Sequence, residues 1–176
     1  MQKTSPLRVE ASEYARYYGT YIGLIADQDI TALLLSQAGA LDSLSSLSDV
    51  KAKYRYGPDK WSVKEVIGHI TDAERVFAYR MLRVARGDAT PLAGFDQQPY
   101  VEAAHFDALP ITTLIDGFKT TRAATLSLMA QIDDAAWPRM GTASGFPVSA
   151  RALAYIIAGH LEHHMRILRD SYQVSV

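Results

Sequence analysis

Twenty residues near the C-terminus, "RALAYIIAGHLEHHMRILRD" (Arg151–Asp170), constrain the fold more than any other stretch. At 3.6 residues per turn, each residue advances about 100° around a helix axis. With His160 set at zero, Leu153 falls near +20°, Ile156 near −40°, Ile157 near +60°, His164 near +40° and Ile167 near −20°, all about, by the same period. One apolar stripe therefore runs the length of the segment, and His160 and His164 lie inside it. His163, at about −60°, sits on its border, and Glu162 points away. A helix so patterned buries two imidazoles against whatever it packs on.

Three other segments share the period. Residues 29–47 carry Ile30, Leu33, Leu34, Ala38, Leu41 and Leu44 on one side. A second helix is expected from Ser62, with Glu65 three residues on as a capping box, to about Arg86, with Gly87 as the stop. A third runs from Ile111 to Ile132 after Pro110, and the fourth from Val148 or Ser149 to Tyr172. Strand signals are poor, with no alternating runs bounded by tight turns, and "GTASGFPVS" reads as turn. The fold class expected is all-α, a four-helix bundle in one domain over 1–176. The longest connection, residues 87–110, joins helices 2 and 3. It holds a short helix at "PYVEAAHF" and lets those two helices lie parallel.

Composition excludes several functions. Of 176 residues, 18 are Lys or Arg and 19 Asp or Glu, so no basic surplus points to nucleic acid. The "RMLRVAR" run (Arg80, Arg83, Arg86) reads as a solvated or dimer-facing side. With no cysteine, there is no disulfide, thiolate metal site or thiol nucleophile, which fits a reducing compartment. "MQKTSPLRVE" has no apolar leader region, and no stretch is long and apolar enough to span a membrane. The expectation is a soluble, cytoplasmic protein.

Residues four apart on a helix face have Cβ atoms about 5–6 Å apart, so His160 and His164 can converge on one ion. Two neutral histidines one turn apart would otherwise need separate buried partners, and a hydrogen-bonded core pair remains the competing reading. A ligand from a second helix is also needed. His69 is the candidate, although it lies about 100° from Ile70, the middle of its helix's stripe, and so on the flank. His105 reads as a surface or hinge residue. Glu74 reads as salt-bridged near Arg75 and Arg80. Tyr54, Tyr56, Trp61, Phe95, Gln97 and Tyr100 are candidate pocket-liners, each also explained by packing.

"KWSVKEVIGHITDAERVFAYRMLRVARGD" together with "RALAYIIAGHLEHHMRILRD" resembles the DinB/YfiT-like family of metalloenzymes. "PLAGFDQQPYVEAAHF" and "GTASGFPVS" also match, so the resemblance covers nearly the whole chain. It implies an up-up-down-down four-helix bundle and a divalent metal, zinc or nickel, held by His69, His160 and His164. It also implies a homodimer and either hydrolysis or transfer of a low-molecular-weight thiol to a small-molecule electrophile. A non-catalytic dimeric binding or stress-response module with a structural metal is the alternative. No catalytic residue beyond the ligands, no triad and no phosphate loop is visible.

Overall fold

Serine caps set the start of both histidine-bearing helices. In the computed structural model, which describes residues 8–25 and 28–176, the helices are α1 (Gly19–Ile22), α2 (Ile30–Ser36), α3 (Asp49–Ala52), α4 (Val63–Ala85), α5 (Gln97–Ala104), α6 (Ile111–Met129) and α7 (Ala150–Asp170). Residues 1–7, most of the stretch read for a leader, lie outside the described residues. Ser62 Oγ accepts from the Glu65 amide at 3.1 Å and Glu65 Oε2 accepts from the Ser62 amide at 2.7 Å, the expected capping box. Gly87, at φ 78°, follows the end of α4. Ser149 caps α7 by accepting from Ala152 N at 2.9 Å.

Two local expectations need correction. The helix expected over 29–47 stops at Ser36 and continues as two 3₁₀ turns, Gln37–Gly39 and Asp42–Ser46. Its second half is rich in serine, and Ser45 and Ser46 hydroxyls donate to the carbonyls of Asp42 and Ser43, competing with regular helix bonds. The apolar stripe still does its job, because Leu41 and Leu44 are fully buried. The stretch read as turn also contains an antiparallel hairpin, β1 (Met140–Ala143) on β2 (Phe146–Ser149), in register from Met140↔Ser149 to Ala143↔Phe146. Ser144 (φ 54°) and Gly145 (φ 81°) form its two-residue turn, a geometry that suits strand twist. Four-residue strands with no strict alternation, one containing Pro147, carry too little pattern to be read.

The core gives the helix directions. Val63, Val66, Ile67 and Ile70 of α4 share one apolar cluster with Ile111–Phe118 of α6, while Phe77–Ala85 share the other with Met129 and Ile132. So α4 and α6 run parallel, as the long crossover allows, with α5 inside that crossover. Along α7 the order is reversed: Leu153–Ala158 join the Phe77 cluster and Leu161–Leu168 the Val63 cluster. Ile30 and Leu34 lie in the former, Leu41 and Leu44 in the latter. The first and fourth rods therefore oppose the second and third, a down-up-up-down order. The up-up-down-down order implied by the resemblance would set α4 and α6 antiparallel, and the shared clusters exclude that.

One buried network ties the rods together. Arg122 of α6 donates from Nε and Nη2 to the two carboxylate oxygens of Glu74 on α4, at 2.8 and 2.9 Å. Its Nη1 donates to Leu34 O and Gln37 Oε1, and Gln37 Nε2 donates to Ala158 O on α7. Glu74 is thus salt-bridged as expected, but to Arg122, which is fully buried, and not to a neighbour on its own helix. Close backbone packing adds a second tie: a Cβ on Gly159 would sit 2.3 Å from the Tyr21 carbonyl oxygen.

Two substitutions measure these ties. Arg122→Met leaves Glu74 buried and unpaired and is expected to cost about 3–5 kcal/mol in urea unfolding. Gly159→Ala forces α1 off α7 and is expected to cost about 1–3 kcal/mol. Unchanged unfolding midpoints would show that neither tie bears on stability.

Candidate metal centre

Antiparallel packing of α4 on α7 decides where the histidines meet. His160 and His164 face inward from α7 one turn apart, and His69 comes from α4. His160 Nε2 lies 3.1 Å from His69 Nε2 and 3.1 Å from His164 Nε2, and one ligand atom from each ring falls within 4.8 Å of the others. His69, on the flank of its own stripe, is 3% exposed. The flank is buried because α4 is covered twice, by α6 on one side and α7 on the other.

The ring contacts are tight. Trp61 lies against His69 with centroids 4.6 Å apart, and Tyr21 and Phe77 meet His160 edge-on at 5.3 and 5.9 Å. Burial pushes the His69 imidazole down to about 4, aided by His163. His160 and His164 are held well below the usual histidine range, first by burial and then by neighbouring imidazoles. All three rings are therefore neutral at physiological pH, the form a metal requires.

Hydrogen bonding alone does not satisfy them. His160 Nε2 offers either one N–H or one lone pair, yet two imidazole nitrogens crowd it. His164 Nδ1 is buried with no hydrogen-bond partner among the described residues. Nitrogens bound to zinc at about 2.0–2.1 Å in tetrahedral array stand about 3.3 Å apart, close to the spacing seen. The residues present fit a divalent ion.

Among the described residues the cluster comprises these three histidines, with no carboxylate. His163 is half-buried beside Tyr21 and outside the cluster. His105 is exposed and left-handed (φ 50°) at the end of α5, a surface position where the chain turns.

A cavity of about 370 Å³ opens on His69 and His160. Two expected liners, Phe95 and Gln97, border it, and Tyr100 packs against Phe95 with the rings tilted. Tyr56 and Trp61 line a second cavity of about 220 Å³ on the His164 side, while Tyr54 packs on Tyr172. The first cavity is also lined by Tyr17, Tyr18 and Tyr21, which were not among the expected liners, and by Arg80. The tyrosine spacing in "YARYYGTY" (14, 17, 18, 21) is itself helical and was the signal available. Arg80, read as solvated, is 2% exposed, because the crossover and hairpin fold over it. Arg83 keeps the solvated role, bonded to Tyr79 and Asp88.

Helices that converge three neutral imidazoles beside a cavity define a class, the helical-bundle proteins with a buried three-histidine cluster fit for a divalent ion. The sequence matches the DinB superfamily model over residues 32–168; the chain belongs to that superfamily. Among solved structures it is similar to YfiT from Bacillus subtilis, described as a probable metal-dependent hydrolase with an unusual four-helix bundle topology. The TM-score is 0.70 at 12% identity, covering 96% of this chain and 93% of that one. No curated protein matches the sequence significantly.

The depressed imidazole pKa values set a pH window. In the unfolded chain these rings protonate near pH 6.5, whereas in the folded chain His69 resists to about 4 and the other two lie well below 6.5. Unfolding thus takes up protons, and stability present above pH 6.5 falls as pH drops towards 4. The melting temperature of metal-free protein should be level near pH 7.5 and decline from pH 6.5 to 5. A level profile across that window would contradict neutral, desolvated rings.

Proposed function

We propose that the protein is a metal-dependent hydrolase of small molecules, in which His69, His160 and His164 hold one divalent ion, zinc or nickel. The observation that carries this reading is the meeting of three buried Nε2 atoms at the wall of a cavity. Imidazole donors suit either metal. Three protein ligands leave a coordination position for a reactant, as catalytic sites do and closed structural sites do not. An ion so bound supplies a Lewis acid that brings the pKa of a coordinated water to about 7.

The chain's own groups do the rest. The neutral imidazoles point their lone pairs at a common centre. Trp61, Tyr21 and Phe77 hold the rings and exclude bulk water from their outer faces. In hydrolysis the water oxygen bonds to the acyl carbon, the bond to the leaving group breaks, and the leaving group takes the proton. Water is the favoured nucleophile because the structurally similar YfiT is described as a hydrolase. A low-molecular-weight thiol in its place would make the same centre an S-transferase.

The shallow apolar groove between α4 and α6, flanked by exposed Tyr79 and Leu82, supports a homodimer. A cytoplasmic setting is supported by the cysteine-free sequence, and no described helix is long and apolar enough to cross a membrane.

Metal analysis of untagged protein should find about one zinc or nickel per chain, as a single three-histidine site requires. His160→Ala with His164→Ala should abolish it, and retention of full metal content would refute the site. Metal-loaded protein should cleave members of a panel of simple esters and amides, and chelation should remove that activity. Turnover only with thiol-plus-electrophile pairs would assign transfer, and a fourth protein ligand on the metal would assign a structural, non-catalytic role. Chelation should also lower the melting temperature, removing about 2.7 kcal/mol of stability relative to protein with free metal at 100 times Kd.

A further inference from the structure

Three cations are buried among the described residues: Lys64, Arg80 and Arg122. Lys64 pairs with Asp49 at 2.5 Å and Arg122 with Glu74 at 2.8 Å. Arg80 differs. Its Nη2 donates to two neutral acceptors, Ala93 O at 2.7 Å and Ser144 Oγ at 3.0 Å, and no described carboxylate lies within ion-pair distance. A guanidinium presents five N–H donors in a planar fork, and a buried charge without a counter-charge is costly. One acidic residue, Asp96, also lines the cavity; its Oδ1 accepts from the Gln98 amide at the start of α5, and it forms no ion pair with Arg80.

Arg80 lines the same cavity as His69 and His160. On α4, His69, Ala73, Phe77 and Arg80 fall at i, i+4, i+8 and i+11, one face of the helix. The Cα positions of His69 and Arg80 are about 16 Å apart along the axis, and the arginine side chain leans back towards the histidines. Between them the wall is aromatic. Tyr18 stands beside the guanidinium and meets Phe77 edge-on at 6.0 Å, and the Phe95 ring lies 5.9 Å from Arg80 Cζ. The cavity thus has a cationic end, a ring-lined middle and a metal-binding end.

We propose that the substrate carries a carboxylate that pairs with Arg80, an apolar, ring-sized body, and its hydrolysable bond at the far end beside His69 and His160. This deepens the hydrolase reading and rests on it for the identity of the reacting end. Arg80 is the specificity-determining residue. Its bonds to Ala93 and Ser144 hold the guanidinium in place by tying it to the crossover and the hairpin.

Phenylacetate and its neutral analogue phenylacetamide separate charge recognition from apolar burial. Titrated by calorimetry into chelated protein, so that no metal attracts the carboxylate, phenylacetate should bind at least about tenfold more tightly, the worth of a charge-assisted hydrogen-bonded pair. Arg80→Met should erase the preference and Arg80→Lys retain part of it. A variant that fails to fold is bypassed by NMR of the wild type, where the Arg80 Nε–H resonance should shift with phenylacetate and stay put with the amide. Equal affinity for the two probes, no saturable binding of phenylacetate, or an unmoved Arg80 resonance would each overturn the proposal. The two readings fail separately. Protein that prefers the carboxylate but binds no metal keeps Arg80's role and loses the hydrolase, whereas metal-loaded ester cleavage without the preference does the reverse.

Discussion

Desolvation of three imidazoles is the constraint from which the rest of the structure follows. A ring buried beside two others cannot carry a proton at neutral pH, and burial holds His69, His160 and His164 below their ordinary range. Neutral rings offer lone pairs, and the helix packing turns those lone pairs towards one point. On its α1 side, α7 is fitted just as closely, with Gly159, next to His160 in sequence, against the Tyr21 carbonyl. The same packing leaves His164 Nδ1 without a partner among the described residues, an expense a folded protein tolerates where the residue has work to do.

Around this centre the bundle distributes its charge unevenly. The Glu74–Arg122 pair closes on itself, each charge answered, with Arg122 also donating to Leu34 O on α2 and Gln37 carrying the bonds on to α7. That network stabilises and orients, and none of its residues lines either cavity beside the histidines. Two turns along α4 from Glu74, Arg80 is buried with neutral partners and a cavity in front of it. Two buried arginines on adjacent helices therefore have different roles, one in holding the rods and one in meeting a ligand.

Much of this was legible in the sequence, for identifiable reasons. The α7 stripe is long and strongly periodic, so the inward placement of His160 and His164 followed from the helical period alone. The start of α4 followed from Ser62 and Glu65. His69 was harder: its position on the flank becomes buried only because two helices cover α4, which is a tertiary fact. The burial of Arg80 was invisible for the same reason, since it depends on a hairpin whose four-residue strands lack alternation. Helix order was not legible: the crossover length permits α4 and α6 to be parallel without requiring it, and the expected up-up-down-down order set them antiparallel. The serine-rich second half of the first rod kept its apolar stripe while losing regular helix, so burial was readable there and helix type was not.

The most direct test of the metal centre is X-ray absorption at the edge of the bound metal, on protein loaded with zinc or nickel. The account predicts three imidazole nitrogens at about 2.0–2.1 Å and at least one oxygen from outside the chain. Fewer than three imidazoles, or a shell filled by protein atoms alone, would contradict it.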